Sequence, residues 1–151
     1  MNFNKSVDYV DLSRFDGDWY VQVVRPTIFE KEVHNGIEHY DFDGDKVKIK
    51  FTYNKGSFDG ELKTITQKGE VYNKKTNSHW KVSPLWPFKF DFLVIALADD
   101  YEWTAVGVPS GKYLWIMSRN PHPDKDKMTK FIEQVSETGY PMNDLEYIKH
   151  E

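Results

Sequence analysis

Cysteine is absent from the 151 residues. This excludes disulfide staples, thiol nucleophiles and thiolate metal sites, and leaves the redox compartment open. No apolar run is long enough to cross a bilayer as a helix, and Met1 to Asp8 lacks the apolar stretch of a secretory signal. Charge of one sign is missing too: 20 Lys and Arg against 24 Asp and Glu leave a net −4, with the signs interspersed. A nucleic-acid partner, which needs a basic face, has no support; interspersed charge describes solvated surface. The five histidines (His34, His39, His79, His122 and His150) show no metal-ligand spacing. Neither a glycine-rich phosphate loop nor a Ser/His/Asp pattern can be read. No metal, cofactor or catalytic residue is therefore expected. No repeat, linker or low-complexity tract divides the chain, so residues 1–151 are expected to form one domain.

Aromatic residues are plentiful: five Trp, nine Tyr and ten Phe, enough to fill a core and line a cavity. Most of the pattern has period two. Val47, Ile49, Phe51 and Tyr53 alternate with Lys46, Lys48, Lys50 and Thr52, a strand with one wet face. Asp43-Gly44 ahead of it reads as a hairpin turn. Similar rows run through Tyr40 and Phe42, Ile65 to Val71, Phe90 to Ala96, and Tyr113, Trp115 and Met117. Short strands at this spacing, broken by Asn, Asp, Gly and Pro, predict an antiparallel sandwich or barrel. One segment has the other period. From Asp124 to Thr138, Met128, Phe131, Ile132 and Val135 fall at i, i+3, i+4 and i+7, one face of a helix. Pro123 and Asp124 suit its start and Gly139 its C′ position. Leu145 and Tyr147 then hint at one last short strand.

Three motifs carry a family resemblance. Gly17-Asp18-Trp19 resembles the G-x-W signature of the lipocalins, Asp99-Asp100-Tyr101 their second motif, and Arg119, after Tyr113 to Ser118, their third. The similarity covers nearly the whole chain. It is greatest to the branch of bacterial outer-membrane lipocalins, plant temperature-induced lipocalins and apolipoprotein D. It implies an all-β fold: an eight-stranded antiparallel up-and-down barrel, with one C-terminal helix packed outside. It also implies that Trp19 sits at the closed end with Arg119 against its ring, a cation–π contact with donors left for nearby carbonyls. Gly17 would let the chain cross where a Cβ would collide. These three are expected to close the barrel and to take no part in binding.

An eight-stranded barrel can hold one small ligand. Alternation then nominates an inner wall. The expected ligand-binding residues are Val23, Arg25, Glu38, Tyr40, Ile49, Phe51, Trp80, Val82, Phe92, Val94, Trp103, Tyr113 and Trp115, some of which only fill the floor. Glu38 shares the parity of Tyr40 and Phe42, so it is expected to face the cavity near its mouth, paired with Arg25; the alternative is a bulge that turns it to solvent. Leu85-Trp86-Pro87-Phe88 is either buried or an exposed patch for a membrane or a second subunit.

The expected function is binding and carriage or storage of a small hydrophobic or amphiphilic molecule, such as a fatty acid or lysophospholipid, by a monomer or weak homodimer. The alternatives are an enzyme using the cavity as active site, with Glu38 as base, and a cell-envelope maintenance or interaction protein with peripheral membrane contact. The resemblance suggests the cell envelope or periplasm; a chain complete as given would be cytoplasmic.

Overall fold

The computed structural model describes residues 3–25, 32–85 and 88–151. The strands are β1 (Gly17–Arg25), β2 (Val33–Asp43), β3 (Lys46–Lys55), β4 (Leu62–Val71), β5 (His79–Leu85), β6 (Phe88–Leu97), β7 (Trp103–Gly107), β8 (Leu114–Ser118) and β9 (Glu146–Tyr147). Helix α1 (Leu12–Phe15) precedes them, and α2 (Lys125–Glu137) lies between β8 and β9. The sheet runs β2-β3-β4-β5-β6-β7-β8-β1-β9, and β1 also pairs with β2. Strands β1 to β8 thus close into an up-and-down antiparallel barrel, the arrangement that removes the edges of an open sheet. The first hairpin turn is Gly44-Asp45, one residue later than the pattern suggested, because Asp43 pairs with Lys46.

Two hydrophobic cores share the barrel wall. The inner one joins the inward rows of β2, β3, β5 and β8 to Val10, Phe15 and Trp19. The outer one lies between the barrel and α2 and contains Val23, Leu93, Ile95, Trp103, Ala105, Leu114, Ile116, Phe131, Val135 and Tyr140. Helix α2 forms where its period predicts. Asp124 is its N-cap, accepting from the Asp126 and Lys127 N–H groups, and Thr138 is its C-cap. Phe131 and Val135 are buried beneath it, and Met128 and Ile132 pack at its margin.

Two bulges divide the walls between these cores. In β1, Val21 pairs with Met117 and Val23 with Ile116, so Gln22 is the extra residue. Its buried amide donates to the Ser118 hydroxyl at 3.1 Å and the Pro121 carbonyl at 3.2 Å, which satisfies a polar group buried on the outer side beneath the β8–α2 connection. In β6, Val94 pairs with Val106 and Ala96 with Ala105, so Ile95 is extra. The Thr104 hydroxyl donates to the Ala96 carbonyl at 3.0 Å. Past a bulge, every side chain changes face.

Pairing of β1 with β2 extends only from Gly17–Tyr40 to Tyr20–Ile37. Toward the open end the two strands part, and the C-terminal segment fills the gap. Tyr147 and Glu146 pair with Val23 and Val24. The Ile148 N–H donates to the Gln22 carbonyl, and the Asn35 N–H to the Lys149 carbonyl. Ile148 packs against the inner core.

Candidate functional site

The inside of the barrel holds two aromatic zones. At the closed end, α1 delivers Phe15 into the bore. Asp11 caps this helix through the Ser13 N–H. The Phe15 ring lies 5.1 Å from Trp19, 5.2 Å from Tyr40, 6.3 Å from Phe42 and 5.3 Å from Trp80, centre to centre. Phe15, Trp19 and Trp80 are fully buried. These five rings form a solid floor. Above them stand rings of the wall: Phe51 against Tyr53 at 5.3 Å, and Phe92 against Trp115 at 5.4 Å with Tyr113 beyond. Tyr113 and Trp115 are only half-buried, and Phe90 and Phe88, on the same inward parity, are increasingly exposed toward the mouth.

Tyr40 and Trp80, expected as ligand contacts, therefore belong to the floor. Ile49, Phe51, Val82, Phe92, Val94, Tyr113 and Trp115 lie on the inner side, in or against the inner core. Three expected wall residues lie elsewhere. Val23 follows the Gln22 bulge and packs in the outer core. Arg25, opposite Leu114 of that outer core, donates to the Asn143 side-chain oxygen at 2.8 Å and to the Lys112 carbonyl at 3.4 Å. It does not enter the cavity and makes no pair with Glu38. Trp103 faces outward and stacks on Phe131 of α2 at 5.6 Å. The inward residues of β7 are instead Thr104 and Val106, paired with Met117 and Trp115 of the inner core. Gly107 also faces outward: a Cβ there would come within 2.7 Å of the buried Tyr140 ring, so only glycine admits that ring.

Glu38 is buried on the inner side. Its cross-strand partners, Trp19 and Phe51, both belong to the inner core. It is the middle residue of β2 and lies deeper than the mouth, where it was expected. Burial, and secondly the Glu38 charge, push the Tyr40 hydroxyl well above its usual pKa, so Tyr40 stays a neutral donor. Besides Thr104 and Val106, a residue of β4 on the inner wall was not nominated from sequence. Lys63 pairs with Tyr53, one inward rung above Phe51 and Ile65. The odd-numbered residues of β4 are consistently more buried than their neighbours up to Gly69, which places Lys63 on the mouth-facing side. Its parity with Ile65 was the available signal.

Beneath the floor, the guanidinium of Arg119 stands 3.8 Å from the Trp19 ring. It donates to the carbonyls of Asp18 at 2.8 Å, Arg14 at 2.6 Å, Phe15 at 3.0 Å and Asp16 at 3.0 Å. Burial lowers its pKa, while Glu102, Asp16 and Asp18 act the other way. The Trp19 indole N–H donates to the same Phe15 carbonyl at 2.8 Å. Gly17 adopts φ +102°, and a Cβ would meet Arg119 at an ordinary 3.5 Å. Its need for glycine is thus conformational, where a collision was expected.

On the outer wall, Asp18, His39 and Thr52 form a carboxylate–imidazole–hydroxyl row across β1, β2 and β3. It lies flat on the sheet, where strand N–H groups are committed to the ladder and unavailable to a developing oxyanion. Among the described residues no cluster of His, Asp and Glu could hold a metal ion. Of the apolar run near the mouth, Trp86 and Pro87 lie outside the described residues; Phe88 is 63% exposed.

Comparison with known proteins gives a consistent picture. A family model described as a lipocalin-like domain matches residues 10–150. The chain is 28% identical over 148 residues to the outer membrane lipoprotein Blc of Vibrio cholerae, covering 97% of this chain and 86% of that one. It is 24% identical over 156 residues to temperature-induced lipocalin-1 of Arabidopsis thaliana, covering 90% and 77%. Among solved structures, insecticyanin from the tobacco hornworm Manduca sexta superposes with a TM-score of 0.72 at 17% identity, covering 96% and 83%. Lobster apocrustacyanin A1 gives 0.71 at 14% identity, covering 92% and 79%. At such identities the structural likeness speaks for the fold alone.

Proposed function

This chain belongs to the lipocalin family, and we propose that its barrel binds one small amphiphile, such as a fatty acid or lysophospholipid, and carries or stores it without chemical change. The division of the bore into a floor of five rings in mutual contact and, above it, an aromatic wall whose Tyr113 and Trp115 are only half-buried carries this reading. The five floor rings leave no reason to expect a ligand below Tyr40. Above Tyr40, which is level with Ile49, β3 continues through Phe51 to Tyr53 at the mouth. Four residues of strand, at about 3.4 Å each and a tilt near 40°, make a cup about 10 Å deep. It is lined by Phe51, Tyr53, Phe92, Tyr113 and Trp115, with few polar groups, as apolar ligand sites are. Affinity for such a cup is expected to be micromolar, on the order of −8 kcal/mol.

Native mass spectrometry of the purified protein, followed by titration of the delipidated form with a fluorescent fatty acid, tests the proposal. Trp115 is half-buried, so Trp115→Ala should weaken binding about tenfold while lowering stability less than truncation of a floor ring. Absence of saturable binding by the delipidated parent would refute it.

A further inference from the structure

The wall of the cup has a seam where β1 and β2 part. Their ladder ends at Tyr20–Ile37, and just beyond it both strands bulge, β1 at Gln22 and β2 at Asn35 and Gly36. Bulged strands bend, and Asn35 adopts a left-handed backbone with φ +55°. Val21 and Val24 of the inner core stand on the β1 side of the gap. Gly36 stands on the β2 side, buried and without a side chain: a Cβ there would lie 3.2 Å from the Phe51 ring. The gap therefore opens on Phe51, one inward rung above the level of Tyr40 in the floor.

Residues 148–151 fill this gap. Ile148 is the plug, packed against the inner core. The segment is held by scattered single bonds. The Ile148 N–H donates to the Gln22 carbonyl and the Asn35 N–H to the Lys149 carbonyl, each at 2.8 Å. The His150 imidazole donates to the Val21 carbonyl at 2.7 Å, and the Glu151 N–H to the Asn35 side-chain oxygen at 2.8 Å. By contrast, β2 and β3 are joined by an unbroken ladder from Ile37 to Asp43. Lys149 and Glu151 are exposed, so water competes for the bonds of the segment, and the wall parts here at lower cost than along a ladder. A ligand whose tail fills the cup leaves through the mouth only by withdrawing the tail along its whole length. Parting the seam frees it sideways.

We propose that residues 148–151 are a hinged stave of the barrel: they swing outward and open a side slot between β1 and β2, through which the amphiphile enters and leaves the cup. Ile148 is the latch, and β9, paired with Val23 and Val24, is the hinge. With the stave closed over free and loaded cups alike, it sets the rates of exchange and leaves affinity unchanged. This rests on the carrier reading of the upper barrel.

The test uses stopped-flow fluorescence of delipidated protein with cis-parinaric acid. His34 and Lys149 are neighbours in an isolated parallel bridge, so His34→Cys with Lys149→Cys can close a disulfide across the seam, and the chain has no other cysteine to compete. Oxidation should slow association and dissociation together by about tenfold or more, and reduction should restore both. Lys50→Cys with Thr66→Cys, an exposed opposed pair on β3 and β4, is the control for general stiffening and should leave the rates alone. Ile148→Ala, which needs no disulfide, should speed both rates about five- to tenfold and keep affinity within about twofold. The stave is overturned, and the carrier reading stands, if the oxidised seam exchanges ligand as fast as the reduced one. The same holds if the control staple slows exchange equally, or if Ile148→Ala changes affinity and not rates. If the parent does not bind the probe saturably, both are overturned.

Discussion

Replacing Phe15 with alanine would remove the central ring of the barrel floor. The residue is fully buried and touches Trp19, Tyr40, Phe42 and Trp80, four rings brought together by three strands. Truncating a buried phenylalanine costs about 3–5 kcal/mol, and each edge-to-face neighbour adds to the loss, so the upper part of that range, about 4–5 kcal/mol, is expected. A chain of this length unfolds with an entropy of roughly 0.32 kcal/mol/K, so the midpoint should fall by about 12–16 °C. Calorimetry of Phe15→Ala beside Leu62→Ala, a residue 63% exposed, gives the measurement its control. The second variant should melt close to the parent, within about 0.5 kcal/mol. The void left at the bottom of the cup should also admit a deeper apolar ligand, readable as tighter binding of a longer-tailed probe. A midpoint shift under about 5 °C, or equal shifts in both variants, would show that the floor is not a packed unit and that α1 is incidental to it.

Other consequences are equally open to measurement. Arg119→Lys should lose about 2–3 kcal/mol in urea denaturation, because an ammonium neither lies flat on Trp19 nor serves four carbonyls at once; full stability in the lysine variant would contradict the closure role. Tyr140→Phe should cost about 1–3 kcal/mol, since its buried hydroxyl accepts from the Val108 N–H at 3.0 Å and places its one O–H between the carbonyls of Val108 and Tyr113. Burial lowers the His150 pKa below 6.5, with His122 adding to the effect. The unfolded chain therefore binds that proton more readily: the contribution is complete above about pH 6.5 and is lost as the pH falls through the lower folded value. Thermal melts of the parent should drop over that window, and those of His150→Gln should drop less.

How far the sequence foretold this molecule depended on whether a strand was regular. Strand β3 alternates without interruption from Val47 to Tyr53, and its inner row was legible residue by residue. Helix α2 was equally plain, because both caps and all four apolar positions agree. Strands β1 and β6 each carry a bulge, and one inserted residue reverses every later assignment. The doublet Val23-Val24 breaks alternation and was a sign of it. Strand β7 is buried on both faces, since α2 covers the outside, so burial alone could not tell Trp103 from Thr104. Phe15 stood on a helix of four residues, too short for any period to show. Glu38 was assigned to the inside correctly by parity, but its depth followed only from the register with Trp19 and Phe51.

The wedge made by residues 146–151 has a consequence for how the protein is made. Strand β1 finds β2 for only four residue pairs; its remaining partners are β8 and the segment after α2, with His150 bonding back to Val21 across 129 positions. On a ribosome that adds residues one at a time, most of the barrel emerges as a meander of neighbouring hairpins, but the upper half of β1 must wait with an unsatisfied edge until nearly everything else has been synthesised. Contacts so distant in sequence are slow to form. During that interval Val21 to Arg25 is an adhesive strip, open to the strands of another nascent chain. Translation speed over residues 114–151, and any chaperone that covers β1 meanwhile, should therefore govern the yield of folded protein more than the stability of the finished barrel does.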